Sequence, residues 1–221
     1  MSIELIHLRK LLKFCCLDDD RARSALRREA YEDRRRVEFP SEGGGDFHAP
    51  FWSDAKNHVS HGLDLEEATD IRVERNYRRS RLYPLMKDRF LDWWRDEQRT
   101  TNQVLRPIEE NVHARHAFDD LGIVVKVDNL LSLKVEANHH RLIYPYFTES
   151  PALSATWGRV GLWIMGETLS QWSIHDAVIL DLHRTRSFST ATHPMNGDER
   201  EILVNRVRVL RDIWDELNID A

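Results

Sequence analysis

Apolar residues recur along this chain in two rhythms, and the change falls near residue 122. Ile3, Leu5, Leu8, Leu11, Leu12 and Cys15 return at helical spacing, which predicts a first helix over residues 3–16. Asp18, Asp19 and Asp20 then offer a cap for a mostly charged helix over 19–36. Pro40, Gly43, Gly44, Gly45 and Pro50 break the pattern and predict a loop over 38–50. Helical spacing resumes over 52–61, 64–80, 84–99 and 104–119. Asp64 is placed to cap the second of these, and Pro84 to open the third.

From Gly122 the period becomes two. Ile123, Val125, Val127, Leu131, Leu133 and Val135 are odd-numbered, while Lys126, Asp128, Ser132 and Lys134 are even. A hairpin at Asp128-Asn129 would turn Ser132 and Lys134 inward, so the alternation predicts one long strand over 123–135. The turn then falls at Ala137-Asn138-His139-His140 and returns through a strand over 141–147. Ser150-Pro151 predicts the start of a helix over 151–169 that is apolar nearly all round. Gly158, Gly161 and Gly166 weaken such a helix, and close approach by a sheet or helix would explain them. A strand over 176–182 follows, and residues 184–190 continue it or pair with it. The last helix, 198–217, carries the stripe Leu203, Val207, Leu210, Trp214 and Leu217. The expected class is α+β: a helical N-terminal half (1–120), then a small mixed sheet packed with two long helices (121–221), with one continuous domain as the other division.

Composition narrows the class of function. With 41% hydrophobic and 31% charged residues among 221, the chain is globular and long enough for a self-sufficient core. The net charge is −5, so nucleic-acid binding would rest on a local patch and not on overall charge. The two cysteines, Cys15 and Cys16, are adjacent. They are expected to be small buried hydrophobes of a reducing compartment, not a disulfide. The N-terminal apolar residues are broken by His7, Arg9, Lys10 and Lys13, unlike a secretory signal. No apolar run is long enough to span a membrane, so a cytoplasmic protein is expected.

Four constellations carry candidate chemistry. Glu109, His113 and His116 share a face if 104–119 is helical, as zinc ligands could, although a solvated face is the plainer account. Asp181 and His183, two apart on a strand and near His175 and Asp176, could form a metal or acid–base pair. Arg72, Arg75 and Arg79 share a helical face beside Tyr77, and guanidinium forks suit phosphate. This is the local candidate for nucleic acid, against a salt-bridged surface in which Glu74 pairs with Arg78. Arg184 and Arg186 extend a basic surface or protect a sheet edge. Phosphate-cradling glycine motifs, a nucleophile elbow and paired-cysteine zinc spacing are all missing.

The order of elements from Gly122 resembles the core of RecB-type nucleases of the PD-(D/E)XK class, which runs strand, strand, helix, strand. Gly122 to Leu131 resembles its first strand, with Asp128 where an acidic residue stands. Leu142 to Phe147 takes the place of the second strand but lacks the acid-x-Lys pair. The helix from Ser150 and the strand Val178-Ile179-Leu180-Asp181 follow in order. The resemblance implies a nuclease-like scaffold without its metal-holding pair.

Three readings follow. The first is a non-catalytic module, without cofactor or metal, that binds a protein or nucleic-acid partner in a larger bacterial assembly through Arg72, Arg75 and Arg79. The second is a nuclease-like hydrolase that uses a divalent metal with Asp128, Asp181 and His183. The third is a purely structural subunit anchored by Trp93 and Trp94.

Overall fold

The computed structural model describes residues 5–38, 46–101, 104–108, 110–136 and 139–219. Seven helices and eight strands are found among them. They are β1 (Leu5–His7), α1 (Leu8–Cys16), α2 (Asp19–Glu38), α3 (Ala49–His61), α4 (Leu65–Arg75), α5 (Leu82–Thr100), β2 (Arg106–Pro107), β3 (Ala114–Phe118), β4 (Ile123–Val127), β5 (Leu131–Glu136), β6 (His139–Tyr146), α6 (Ala155–Thr168), β7 (Ala177–Asp181), β8 (Arg186–Ser189) and α7 (Glu199–Ile219). The class is α+β, with helices dominating the first half and sheet the second.

Two sheets form. One has the order β1-β4-β3, with β1 parallel to β4 and β3 antiparallel to it. The other has the order β2-β5-β6-β7-β8, in which only β6 and β7 run parallel, joined through α6. Strands β1, β2 and β3, all from the first 120 residues, thus pair into sheets with strands from the rest of the chain.

The five-stranded sheet is buried on both faces, and its side chains alternate between two cores. Leu142, Tyr144, Tyr146, Ala177, Ile179 and Phe188 face the core shared with α1, α6, α7 and the small sheet. Leu131, Leu133, Ile143, Val178 and Leu180 face the aromatic core of α3, α4 and α5, which holds Trp52, Phe90, Trp93 and Trp94. A strand buried on both faces reads as an unbroken apolar run, as Ala177 to Leu180 does.

Local chemistry sets the element ends. Asp64 accepts from the amides of Glu66 and Glu67 at the start of α4. Gly62, at φ 68°, closes α3 in the left-handed conformation. The Glu199 carboxylate accepts from the amides of Asn196 and Gly197 just before α7. In α6, a Cβ at Gly158 would lie 2.2 Å from the Phe188 ring, and one at Gly161 would lie 2.6 Å from Ile179. Both glycines let the helix lie close on the sheet, as their positions suggested.

Several expectations are corrected. Residues 5–7 are strand, not helix, because Leu5–His7 pair with Val124–Lys126. The helix expected over 104–119 is instead β2 and β3, so Glu109, His113 and His116 share no helical face, and Glu109 lies outside the described residues. Helix α3 begins at Ala49, inside the expected loop, whose glycines lie outside the described residues. Helix α6 begins at Ala155 with Ser154 as its cap, while Ser150-Pro151 is a cis peptide. Ala137 and Asn138, in the expected turn, lie outside the described residues; the flanking strands pair antiparallel, with Glu136 opposite His139. No helix among the described residues is long and apolar enough to cross a membrane.

Candidate functional site

The long strand expected over 123–135 is also broken, and the break makes the site. Val127 ends β4 in the small sheet, and Leu131 begins β5 in the large one. Asp128, Asn129 and Leu130 form the elbow between them, with Asn129 in the left-handed region at φ 61°. Asparagine is among the few residues that take this conformation readily. The odd-numbered side chains of β4 (Ile123, Val125, Val127) enter the first core, and those of β5 (Leu131, Leu133) enter the second. Alternation in the sequence continues across the elbow while the core it serves changes.

Helix α3 clamps the elbow. Trp52 Nε1 donates to the Asn129 carbonyl at 2.7 Å, and Lys56 Nζ donates to Asn129 Oδ1 at 2.6 Å. The elbow, the ends of β1 and β4, the second half of α3 and residues 107–108 and 110–113 line a pocket of about 900 Å³. Its wall is rich in charge and hydrogen-bonding groups. Arg9, Lys56, Lys126, Asp46, Asp128 and Glu110 line it, together with His7, His61 and His113.

Most of these charges are already matched. Arg9 is paired with Asp46. Both oxygens of Asp128 are taken: Oδ1 lies 3.0 Å from His7 Nδ1, and Oδ2 lies 2.7 Å from Lys126 Nζ. Burial raises the pKa of this carboxyl, but the hydrogen bonds and charges of His7 and Lys126 outweigh it and hold the group at about 2. An ionised carboxylate only accepts, so the proton of that contact sits on His7 Nδ1. His7 Nε2 has no hydrogen-bond partner among the described residues.

Lys56 and Tyr144 keep donor capacity without an acidic partner among the described residues. Among the described residues Lys56 meets an amide oxygen and no carboxylate, and burial depresses its pKa, with the charge of Asp128 opposing. Tyr144 is buried, and its hydroxyl accepts the Arg9 main-chain N–H at 2.9 Å. No acceptor for the phenol's own proton is found among the described residues. Burial pushes the Tyr144 pKa up, so this oxygen keeps its proton.

The other candidates lie apart from this pocket. Asp181 is fully buried at the end of β7, bonded to Arg184 and to the Leu153 amide. Burial raises its pKa, and Arg184 opposes the rise. His183 Nε2 contacts the Phe147 carbonyl at 3.0 Å, and neither Asp181 nor His183 lines the pocket. Asp176 receives the His140 amide. No group of three His, Cys, Asp or Glu side chains placed to hold a metal is found among the described residues. Arg184 stands in a single 3-10 turn and is not on a strand with Arg186.

The arginine face is also rearranged. Helix α4 stops at Arg75, and a 3-10 turn follows over Tyr77–Arg79, so the three arginines share no continuous helical face. Arg72 forks onto the buried carboxylate of Asp54, at 2.8 and 3.0 Å. Arg79 lies over the Tyr83 ring. Arg75 and Arg78 remain exposed on either side of Tyr77, which is 84% exposed.

His7, Arg9, Lys56 and Tyr144 went unread as site residues. They come from the adjoining β1 and α1, from α3 and from β6, segments far apart in the sequence. Comparison of the chain with protein-family models, curated proteins and solved structures found no match.

Proposed function

We propose that this protein binds a small anionic molecule in the pocket beside the Asp128–Leu130 elbow. The observation that carries this reading is Lys56, a half-buried ammonium that, among the described residues, is answered only by an amide oxygen, while Arg9 and Lys126 in the same wall are paired. A buried cation lowers its energy by meeting an anion, and the unspent proton of Tyr144 asks for an acceptor in the same space. Glu110 is exposed and does not offset Lys56 from the interior. The volume suits a molecule of metabolite size. Calorimetric titration with inorganic phosphate, succinate and a nucleoside monophosphate tests the reading. At least one is expected to bind at millimolar concentration or better, and Lys56→Met is expected to abolish it. Absence of binding by all three would overturn the reading.

Tyr77 favours a second reading, binding of single-stranded nucleic acid. Its ring stands exposed between two guanidinium groups that have no ion-pair partner among the described residues, and base stacking on an aromatic side chain contributes about 1–3 kcal/mol. Fluorescence anisotropy with a labelled oligonucleotide at low and physiological salt tests it. Salt-sensitive binding lost in Tyr77→Ala is expected, and equal binding by that variant would exclude this surface.

A further inference from the structure

We infer that His7 is a general base in the elbow pocket, and that the anionic molecule bound there is a phosphate ester hydrolysed by water. The inference rests on the ligand-binding reading above and adds a reaction to it.

The geometry is that of a histidine held by a carboxylate. Asp128 Oδ1 receives His7 Nδ1–H at 3.0 Å, so in the neutral ring Nε2 carries the lone pair. Lys126 holds the other carboxylate oxygen, so Asp128 cannot rotate away without losing a second partner. The His7 side chain is 43% exposed and lines the pocket, so water has access to the ring. Lys56 and Tyr144 line the same space, and both feel the charge of Asp128. A phosphate group presents several charged oxygens, and the ammonium and phenol supply donors for them.

The step balances with water as the only co-reactant. His7 Nε2 takes a proton from a water molecule as its oxygen forms a bond to phosphorus. The bond from phosphorus to the ester oxygen breaks, and that oxygen takes a proton from the Lys56 ammonium. Burial, which depresses the pKa of Lys56, makes it a better proton donor. The imidazolium proton returns to the lysine amine through solvent. One ester and one water give one alcohol and one phosphate.

The test uses the whole chain and two probes. Inorganic phosphate, measured by calorimetry, reports binding; 4-nitrophenyl phosphate, measured by release of nitrophenolate, reports turnover. Wild type is expected to bind phosphate and to turn over the ester. His7→Gln is expected to lower kcat by about 10²–10⁴-fold while keeping phosphate affinity. Asp128→Asn, a change at a positioning residue, is expected to lower kcat with KM kept, which a merely structural loss would not do. Melting curves establish that each variant is folded. Binding without turnover, or turnover untouched in folded His7→Gln, overturns the general-base assignment and leaves the binding reading standing. No phosphate binding together with no turnover overturns the assignment as well.

Discussion

The indole nitrogen of Trp52 donates to the main-chain oxygen of Asn129 at 2.7 Å, across 77 residues of chain. That contact joins the aromatic core of α3 to the elbow between the two sheets. Position 129 needs both a left-handed backbone and a side-chain oxygen for Lys56. Asn129→Val is expected to destabilise the fold by about 1–3 kcal/mol through backbone strain. Asn129→Gly is expected to keep most of the stability but to release Lys56 and weaken ligand binding. Urea unfolding and calorimetry on the two variants separate these effects.

Lys56 costs desolvation in the free protein, because it is partly buried with no counter-ion bonded to it among the described residues. Lys56→Met is therefore expected to leave thermal stability unchanged or higher while removing phosphate binding. A large fall in melting temperature would mean that the lysine serves the fold, not a ligand.

His48 stacks on Phe147 with ring centroids 4.8 Å apart. Burial brings its pKa down to about 4 from 6.5, with Asp46 opposing the shift and Arg9 and His183 adding to it. Above pH 6.5 the folded and unfolded chains both hold this ring neutral. As pH falls towards 4, the unfolded chain takes up a proton that the folded one refuses, so stability declines across that window. The full decline is about 3 kcal/mol. His48→Phe keeps an aromatic ring and is expected to flatten the stability profile between pH 6.5 and 4, measured by denaturant unfolding at each pH.

Gly158 in α6 faces a fully buried Phe188 ring. An alanine in a helix normally gains up to about 1 kcal/mol over glycine, but here the added methyl overlaps the ring. Gly158→Ala is expected to lose about 1–3 kcal/mol from overpacking. A gain in melting temperature would show that α6 can lift from the sheet without cost.

Much of the fold could be read from spacing. The period-3.6 stripes of α5 and α7, the Asp64 cap and the apolar run of β7 all stand where residue pattern places them. Trp93 and Trp94 are buried in the aromatic core. Cys15 is buried and Cys16 partly so; both thiols are free, and burial pushes the Cys16 pKa up to about 11. What spacing could not supply is long-range pairing. The sequence Leu5-Ile6-His7 has one apolar-polar step too few to distinguish a short strand from the helix that follows it. The elbow was hidden for a different reason. Both strands beside it keep apolar residues at odd positions, so the transfer from one core to another leaves no mark in the alternation. Asp128 could be singled out, but its partner His7 lies 121 residues away, and nothing local connects them.

The pairing of β1 with β4 also sets an order of events during synthesis. Leu5 is made 119 residues before its partner Val124. At about 5–20 residues per second, that is a wait of roughly 6–24 s. Throughout it, the nascent chain carries an unpaired strand edge and the apolar face of α1 with no sheet to cover them. A chaperone that shields the first few elements during that interval would matter more for the yield of this protein than its final stability suggests.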